Sequence, residues 1–372
     1  MGFLKKVSLV LALIMSISTS AMAFTPDAEP LIHVVEQGED LWMLQSKYGV
    51  AFEYIARAND IENGNELEAG AELIIPQDRV TSYVLGEATD DAYTIGEERF
   101  TEEDVLVPST TREGVMIPAR VTIPEGEGPF PAIILNHGHG GSLDSPELVA
   151  KALGNAGIAS IRMSFAGTGT SEDTWLNQNM KTMMADSNDC CDYLVNNYNV
   201  DAERLAIGGH SMGGRVSACI IGTGTSPYKV AILVAPFAGE GEFWTQNGTG
   251  AAEGMQEAIN YATAYGYWTA AAWNFNNPNW KYSPEWFYYL YMSNPGEILH
   301  NYTGDIMILM GGEDIAVPPA TCRMLLNSCT NASDVQGVHI DIADHGMGMS
   351  GTPGNVSETC VTEIVNYLTA NL

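Results

Sequence analysis

From about residue 104 to the C terminus, short unbroken apolar runs alternate with longer amphipathic stretches. Val115 to Ile123, PAIILN at 131–136, Ile158 to Met163, RLAIG at 204–208, Val230 to Val234, DIMILM from Asp305 to Met310 and Val338 to Ile342 each predict a strand. Ser145 to Ala156, Asn177 to Tyr198, Met212 to Ile221, a segment from Pro319, and Val356 to Leu372 predict helices. Strands that are apolar on both faces and alternate with helices imply an α/β fold, a mostly parallel sheet covered on both sides. With 372 residues, 45% of them hydrophobic, the chain has room for one large domain and a small one.

The N-terminal third reads differently. Lys5 and Lys6, an apolar run from Val7 to Ile17 and Ala21-Met22-Ala23 form the three parts of a secretory leader, expected to be cut after residue 23. The run is too short to span a bilayer, and no later segment is apolar enough, so the mature chain is expected to be exported, secreted or wall-associated, with no membrane partner. Residues 31–77 then show a strand at His33-Val34-Val35, a turn and helix cap at Gly38-Glu39-Asp40, a helix from Leu41 to about Tyr48, a second from Phe52 to Ala58, and a strand at Leu73-Ile74-Ile75 before Pro76. This βααβ text, HVVEQGEDLWMLQSKYGVAFEYIARANDIENGNELEAGAELIIP, resembles a LysM module along its whole length. The resemblance implies binding of peptidoglycan or chitin-like glycan in a groove between two loops, here Gly38, Glu39, Asp40 and Leu41, and Asn59, Asp60 and Ile61. Residues 78–103 are acidic and weakly periodic and are expected to be a linker, with the second domain at 104–372.

The chemistry centres on Gly209-His210-Ser211-Met212-Gly213, between the strand RLAIG and a helix. A serine between glycines on a strand-to-helix turn is a nucleophile elbow, its hydroxyl pushed out of the sheet beside a helix N terminus. In a parallel sheet, catalytic groups gather at the carboxyl ends of the strands. DIMILM runs into Gly311-Gly312-Glu313-Asp314, and the last strand into Ala343-Asp344-His345. Serine is a poor nucleophile at neutral pH, so His345 is the expected base and Asp314 the residue that orients it. PAIILN ends in His137-Gly138-His139-Gly140-Gly141, which places backbone N–H groups of His139 and Met212 as the oxyanion donors. His137 and His139 lack a third ligand at suitable spacing, so no metal or other cofactor is expected.

Charge and cysteines narrow the picture further. Without Lys5 and Lys6 the chain has 14 basic against 46 acidic residues, which excludes nucleic acid as a natural partner. The six cysteines do not form the spacing of a stapled scaffold, and their pairing is open. An insertion at about 237–303 reads as a cap: Phe243 to Tyr291 holds 15 of the 33 aromatic residues, and its only Lys or Arg is Lys281. Trp268, Trp273, Trp280, Trp286 and Phe287-Tyr288-Tyr289 are candidates to line a pocket for an aromatic acyl group or a sugar ring, or to form the cap's own core.

HGHGG, SFAGTGTSED, GHSMGG and GGEDIAVPP together resemble the α/β-hydrolase superfamily, in its cinnamoyl/feruloyl esterase and prolyl-aminopeptidase-like branch. That branch usually has an acidic residue where this chain has Ser164. The resemblance implies an exported serine carboxylic-ester hydrolase with Ser211, Asp314 and His345 as triad. Glu253, Glu257 and Glu285 in the cap leave open an aminopeptidase of the same fold, and the LysM module leaves open a glycan-binding protein with an inactive hydrolase domain.

Overall fold

The computed structural model describes residues 31–48, 55, 56, 58, 59, 61, 67–75, 80–84, 93–238, 251–269, 280–348 and 355–372. The expected leader, Asp60 and Trp273 lie outside them. The N-terminal unit pairs β1 (Leu31–Val34) antiparallel with β2 (Glu72–Ile75), Leu31 opposite Ile75, with α1 (Leu41–Tyr48) and a helical segment containing Ile55, Ala56 and Ala58 between them in sequence. Leu41, Leu44, Ile55, Leu73 and Ile75 close a small core of their own.

The larger unit is a nine-stranded sheet. In chain order it is built from β3 (Val80–Val84), β4 (Phe100–Pro108), β5 (Met116–Pro124), β6 (Phe130–Asn136), α2 (Glu147–Asn155), β7 (Ala159–Met163), α3 (Met180–Asn197), β8 (Val200–His210), α4 (Met212–Ile221), β9 (Val230–Val234), β12 (Asp305–Gly311), α8 (Pro319–Ser328), β13 (Asp334–Ile340) and α9 (Asn355–Asn371), with the cap elements between β9 and β12. The cap contributes α5 (Ala251–Tyr265), the short pair β10 (Trp268–Thr269) and β11 (Lys281–Tyr282), α6 (Pro284–Met292) and α7 (Pro295–Ile298). Strand order is β3-β13-β12-β9-β8-β6-β7-β5-β4, and every neighbouring pair is parallel except those made by β5.

Alternation along the strands divides the core. Ala132 and Ile134, Ala231 and Leu233, and Ile306, Ile308 and Met310 face α3, α4 and the cap. Ile133 and Leu135, Ile232 and Val234, and Met307 and Leu309 face α2 and α9. Both faces are therefore buried, which is why these strands read as continuous apolar runs. Helix starts follow local chemistry: Asn179 and Thr182 form a reciprocal capping box on α3, and Ser283 accepts the Trp286 N–H ahead of Pro284 on α6.

The chain runs from β6 outward to β7 and then crosses back to β8 on the other side of β6. The crevice at such a reversal is where an α/β sheet presents its site. Here it sets the carboxyl end of β6 against that of β8, with Asn136 opposite Gly209.

The expected linker at 78–103 is corrected by the sheet itself. Residues 80–84 pair parallel with β13, and β4 begins at Phe100. β4 is an edge strand in which only Phe100 and Val107 are buried, so its apolar signal is weak, and its acidic side chains are charge-matched: Asp104 with Arg120, and Glu102 with buried Arg162 and with Lys151. All six cysteines are buried and none forms a disulfide.

Candidate active site

Ser211 sits between β8 and α4 at φ 54° and ψ −117°, the conformation of the first central residue of a type II′ turn, where glycine is usual. The surroundings enforce it. A Cβ on Gly213 would fall 2.1 Å from the Asn136 carbonyl oxygen, and one on Gly209 would fall 2.4 Å from the Gly213 carbonyl carbon. The Ser211 N–H donates to the Val234 carbonyl at 2.9 Å, and the Ser211 carbonyl accepts from Arg215 and Phe237 N–H, each at 3.0 Å. Backbone contacts on every side hold the strained turn.

The structure brings the three expected partners together. Ser211 Oγ–H donates to His345 Nε2 at 2.9 Å, and His345 Nδ1–H donates to Asp314 Oδ2 at 2.8 Å. The other Asp314 oxygen accepts the Ala316 and Val317 N–H groups, each at 2.8 Å, so the carboxylate is fixed in position before it meets the imidazole. Asp314 has no exposed side-chain surface, whereas His345 is 29% exposed, which leaves the base accessible to an incoming molecule.

The HGHGG loop runs directly beside the serine: a Cβ on Gly138 would lie 3.3 Å from Ser211 Cβ. His137 ties the start of the loop to the sheet, donating Nδ1–H to the Gly138 carbonyl at 2.7 Å and accepting the Phe165 N–H at 3.1 Å on Nε2. His139 Nε2 shares a hydrogen bond with the Tyr282 hydroxyl at 2.7 Å. Ser164, at the position where the resembling branch has an acid, accepts the Leu143 N–H just beyond the loop. His210, next to the serine, donates Nε2–H to the His345 carbonyl at 2.6 Å, its ring 4.8 Å from that of His345.

Burial pulls His137, His139 and His210 down to about 4, with the neighbouring His345 adding to the effect on His210. All three are neutral in the folded protein at pH 7. Below about 6.5 the unfolded chain takes up protons that the folded form refuses, so stability present above 6.5 is lost as pH falls toward 4, by about 1.4 kcal/mol per pH unit for each group. The midpoint of thermal unfolding should therefore drop steeply from pH 6.5 to 5, and His139→Phe should flatten that slope by about a third. A flat midpoint across this window would contradict the assignment.

Aromatic rings crowd the loop. Trp175, on the turn after β7, stacks on Trp280 of the cap at 5.0 Å and 14°. Of the expected pocket residues, Trp286 and Phe287 are buried in the core that the cap shares with one face of the sheet, Tyr288 is exposed, and Trp268, Trp280 and Tyr289 are half-buried. Glu257 and Glu285 are exposed, and the side chain of Glu253 lies outside the described residues. The fully buried Arg215 on α4 reaches under the cap and donates to the carbonyls of Ala238 at 2.9 Å, Leu290 at 2.7 Å, and Ser293. Among the described residues no group of three or more His, Cys, Asp or Glu side chains could hold a metal, and no helix is long and apolar enough to cross a membrane.

Comparison with known proteins adds the family. Residues 146–362, more than half of the chain, match the model of the prolyl oligopeptidase family. This chain belongs to the prolyl oligopeptidase family. Residues 33–76 match the LysM domain, so a serine hydrolase of that family is joined here to a LysM module. Esterase EstD of Thermotoga maritima is 24% identical over 330 residues, 80% of this chain and 73% of that protein. Est1E of Butyrivibrio proteoclasticus, solved with ferulic acid bound, shares the fold at a TM-score of 0.55 and 15% identity over 72% of this chain and 98% of its own. Acetyl xylan esterase 1 of Thermoanaerobacterium sp. does so at 0.51 and 18%, over 75% and 86%.

In the LysM module of this family member, two of the expected glycan contacts are spent on the fold. Leu41 is 1% exposed and belongs to the core. Asn59 donates to the Ile55 and Ile74 carbonyls and accepts the Ile74 N–H, which fastens the helical segment to β2. Glu39 bonds His33 at 2.6 Å and the Glu36 N–H, Asp40 caps α1 through the Met43 N–H, and Ile61 packs on the core. Gly38, at φ +89°, supplies the turn. His210, Trp175, Tyr282 and Arg215 had not been assigned roles from sequence. Only Arg215 carried a signal there, as a lone charge in the otherwise apolar helix MGGRVSACII.

Proposed function

We propose that the protein hydrolyses carboxylic esters through an acyl-enzyme on Ser211, exported by its leader and held at a peptidoglycan or chitin-like glycan by the LysM module. The observation that carries this reading is the continuous chain from Ser211 Oγ through His345 to Asp314 beside the glycine loop. Ser211 Oγ attacks the ester carbonyl carbon while His345 Nε2 takes its proton. The carbonyl oxygen becomes an oxyanion that accepts the backbone N–H groups of Met212 and His139. Collapse breaks the bond to the alcohol, which leaves with the proton from His345; a water then repeats the sequence on the acyl-enzyme and frees the acid. Asp314 holds the imidazole tautomer and stabilises its cation, and His210 fixes the backbone of the base. Similarity to EstD supports an ester rather than an amide as substrate.

A panel of acetyl, butyryl, feruloyl and long-chain aryl esters, run beside aminoacyl anilides, tests the reaction. Ester turnover well above anilide turnover is expected; the reverse order would make the protein a peptidase. Absence of turnover together with absence of fluorophosphonate labelling would make it a glycan binder only. Co-sedimentation of the full chain with insoluble peptidoglycan and with chitin tests the module.

A further inference from the structure

The oxyanion loop has little stiffness of its own. Three of the five residues in His137-Gly138-His139-Gly140-Gly141 are glycines, Gly140 lies at φ +72°, and one turn bond from the Gly141 N–H to the Gly138 carbonyl closes it. Its first and central residues are anchored by different contacts. His137 is bound to the sheet domain through Phe165. His139 is bound mainly by the cap: the Tyr282 ring stacks on it at 5.8 Å and 14° and its hydroxyl bonds Nε2 at 2.7 Å, and Trp280 meets it edge-on at 5.0 Å, with Trp175 from the sheet domain also edge-on at 5.3 Å. Trp280 also fills the space over Gly140, where a Cβ would lie 2.5 Å from the indole. Tyr282 is fully buried, and burial keeps its phenol protonated.

We infer that Tyr282 and Trp280 of the cap are positioning residues for the oxyanion hole, acting on the His139 backbone N–H through its side chain. The inference rests on the acyl-enzyme reading above, with His139 as one of the two donors. Preorganised donors work only when they already point to where charge develops, and a glycine loop cannot set that direction alone. The cap then governs the rate of the chemical step as well as the choice of substrate.

Tyr282→Phe keeps the ring and its stacking and removes only the hydroxyl. Its kcat on a good aryl ester should fall on the order of tenfold, less than the 10²- to 10³-fold of losing a donor outright, with KM changed less than about twofold. Binding of a trifluoromethyl ketone, which forms a hemiketal oxyanion on the serine, should weaken in parallel with kcat, while affinity for the product alcohol stays the same. Trp280→Leu, which opens the space over Gly140, should shift both quantities in the same direction. If wild type binds the ketone and Tyr282→Phe binds it equally with unchanged kcat, the cap does not position the loop. If wild type neither binds the ketone nor reacts with a fluorophosphonate, the acyl-enzyme reading falls and this inference with it.

Discussion

Ser211→Ala should lower kcat on aryl esters by a factor on the order of 10⁴ to 10⁶ and abolish fluorophosphonate labelling. The size follows from the geometry: His345 makes its bond to Ser211 Oγ and to Asp314 at normal distances, so the three groups act as a unit and removing the nucleophile leaves the other two without a task. The residual rate comes from the oxyanion donors acting on a water. The fold should be unaffected. The backbone at φ 54° is set by the close approaches of Gly209 and Gly213 and by the Val234 carbonyl, and alanine has the same backbone demands as serine. Thermal unfolding and initial rates on one purified sample check both statements. An alanine variant that keeps more than about one hundredth of the activity would remove Ser211 from the mechanism.

Arg215→Met should destabilise the protein by about 3 kcal/mol and raise KM. Arg215 is fully buried and donates to the carbonyls of Ala238, at the start of the cap, and of Leu290 and Ser293, at the end of α6. A cation at a helix C terminus offsets the negative end of the helix dipole and satisfies carbonyls that have no partner within the helix. Its guanidinium also lies 5.3 Å over the Phe237 ring. Methionine fills most of the volume but removes the charged donor from three carbonyls, of which Leu290 keeps Ser293 and Ser293 keeps Cys219 as weaker donors, at about 1–3 kcal/mol for each buried group left under-satisfied, partly offset because the charge no longer has to be desolvated. The expected loss corresponds to a drop in midpoint of about 6–12 °C for a domain of this size. Because the same side chain joins the nucleophile helix to the cap, the surviving enzyme should show weaker substrate binding. Unchanged midpoint and unchanged KM would show that the cap is held by its aromatic core alone.

The order of serine, acid and histidine was legible because each follows a buried parallel strand, and such strands announce themselves as unbroken apolar runs. DIMILM marks the strand that leads to Asp314 as clearly as PAIILN marks the one that leads to the glycine loop. Edge strands gave no such signal. β4 buries only Phe100 and Val107 and exposes Glu103 and Asp104 on opposite faces, so charge hid it, and β3 adds only five residues to the rim of the sheet. Contacts between distant side chains were equally invisible. Tyr282 and His139 are 143 residues apart, and nothing in the cap's aromatic excess distinguishes the ring that meets the loop from Trp286, which fills the core. In the LysM module the motif located the loops, but it did not show that Leu41 fills the core or that Asn59 bonds the backbone of β2.

The position of β3 bears on how the two units work together. Ile75 ends β2 and Val80 begins a strand hydrogen-bonded to β13, the strand whose end leads to His345. The Cα-to-Cα path between them is five steps, at most about 18 Å when fully extended. On the proposed reading, a module docked on a polymer holds the sheet that carries Ser211 on a leash of at most that length. Esters on the same strand are then met at an effective concentration in the millimolar range whatever the bulk supply. Turnover on an insoluble, ester-bearing glycan would follow how much of the surface is occupied by the module, and small soluble esters would report only the chemistry.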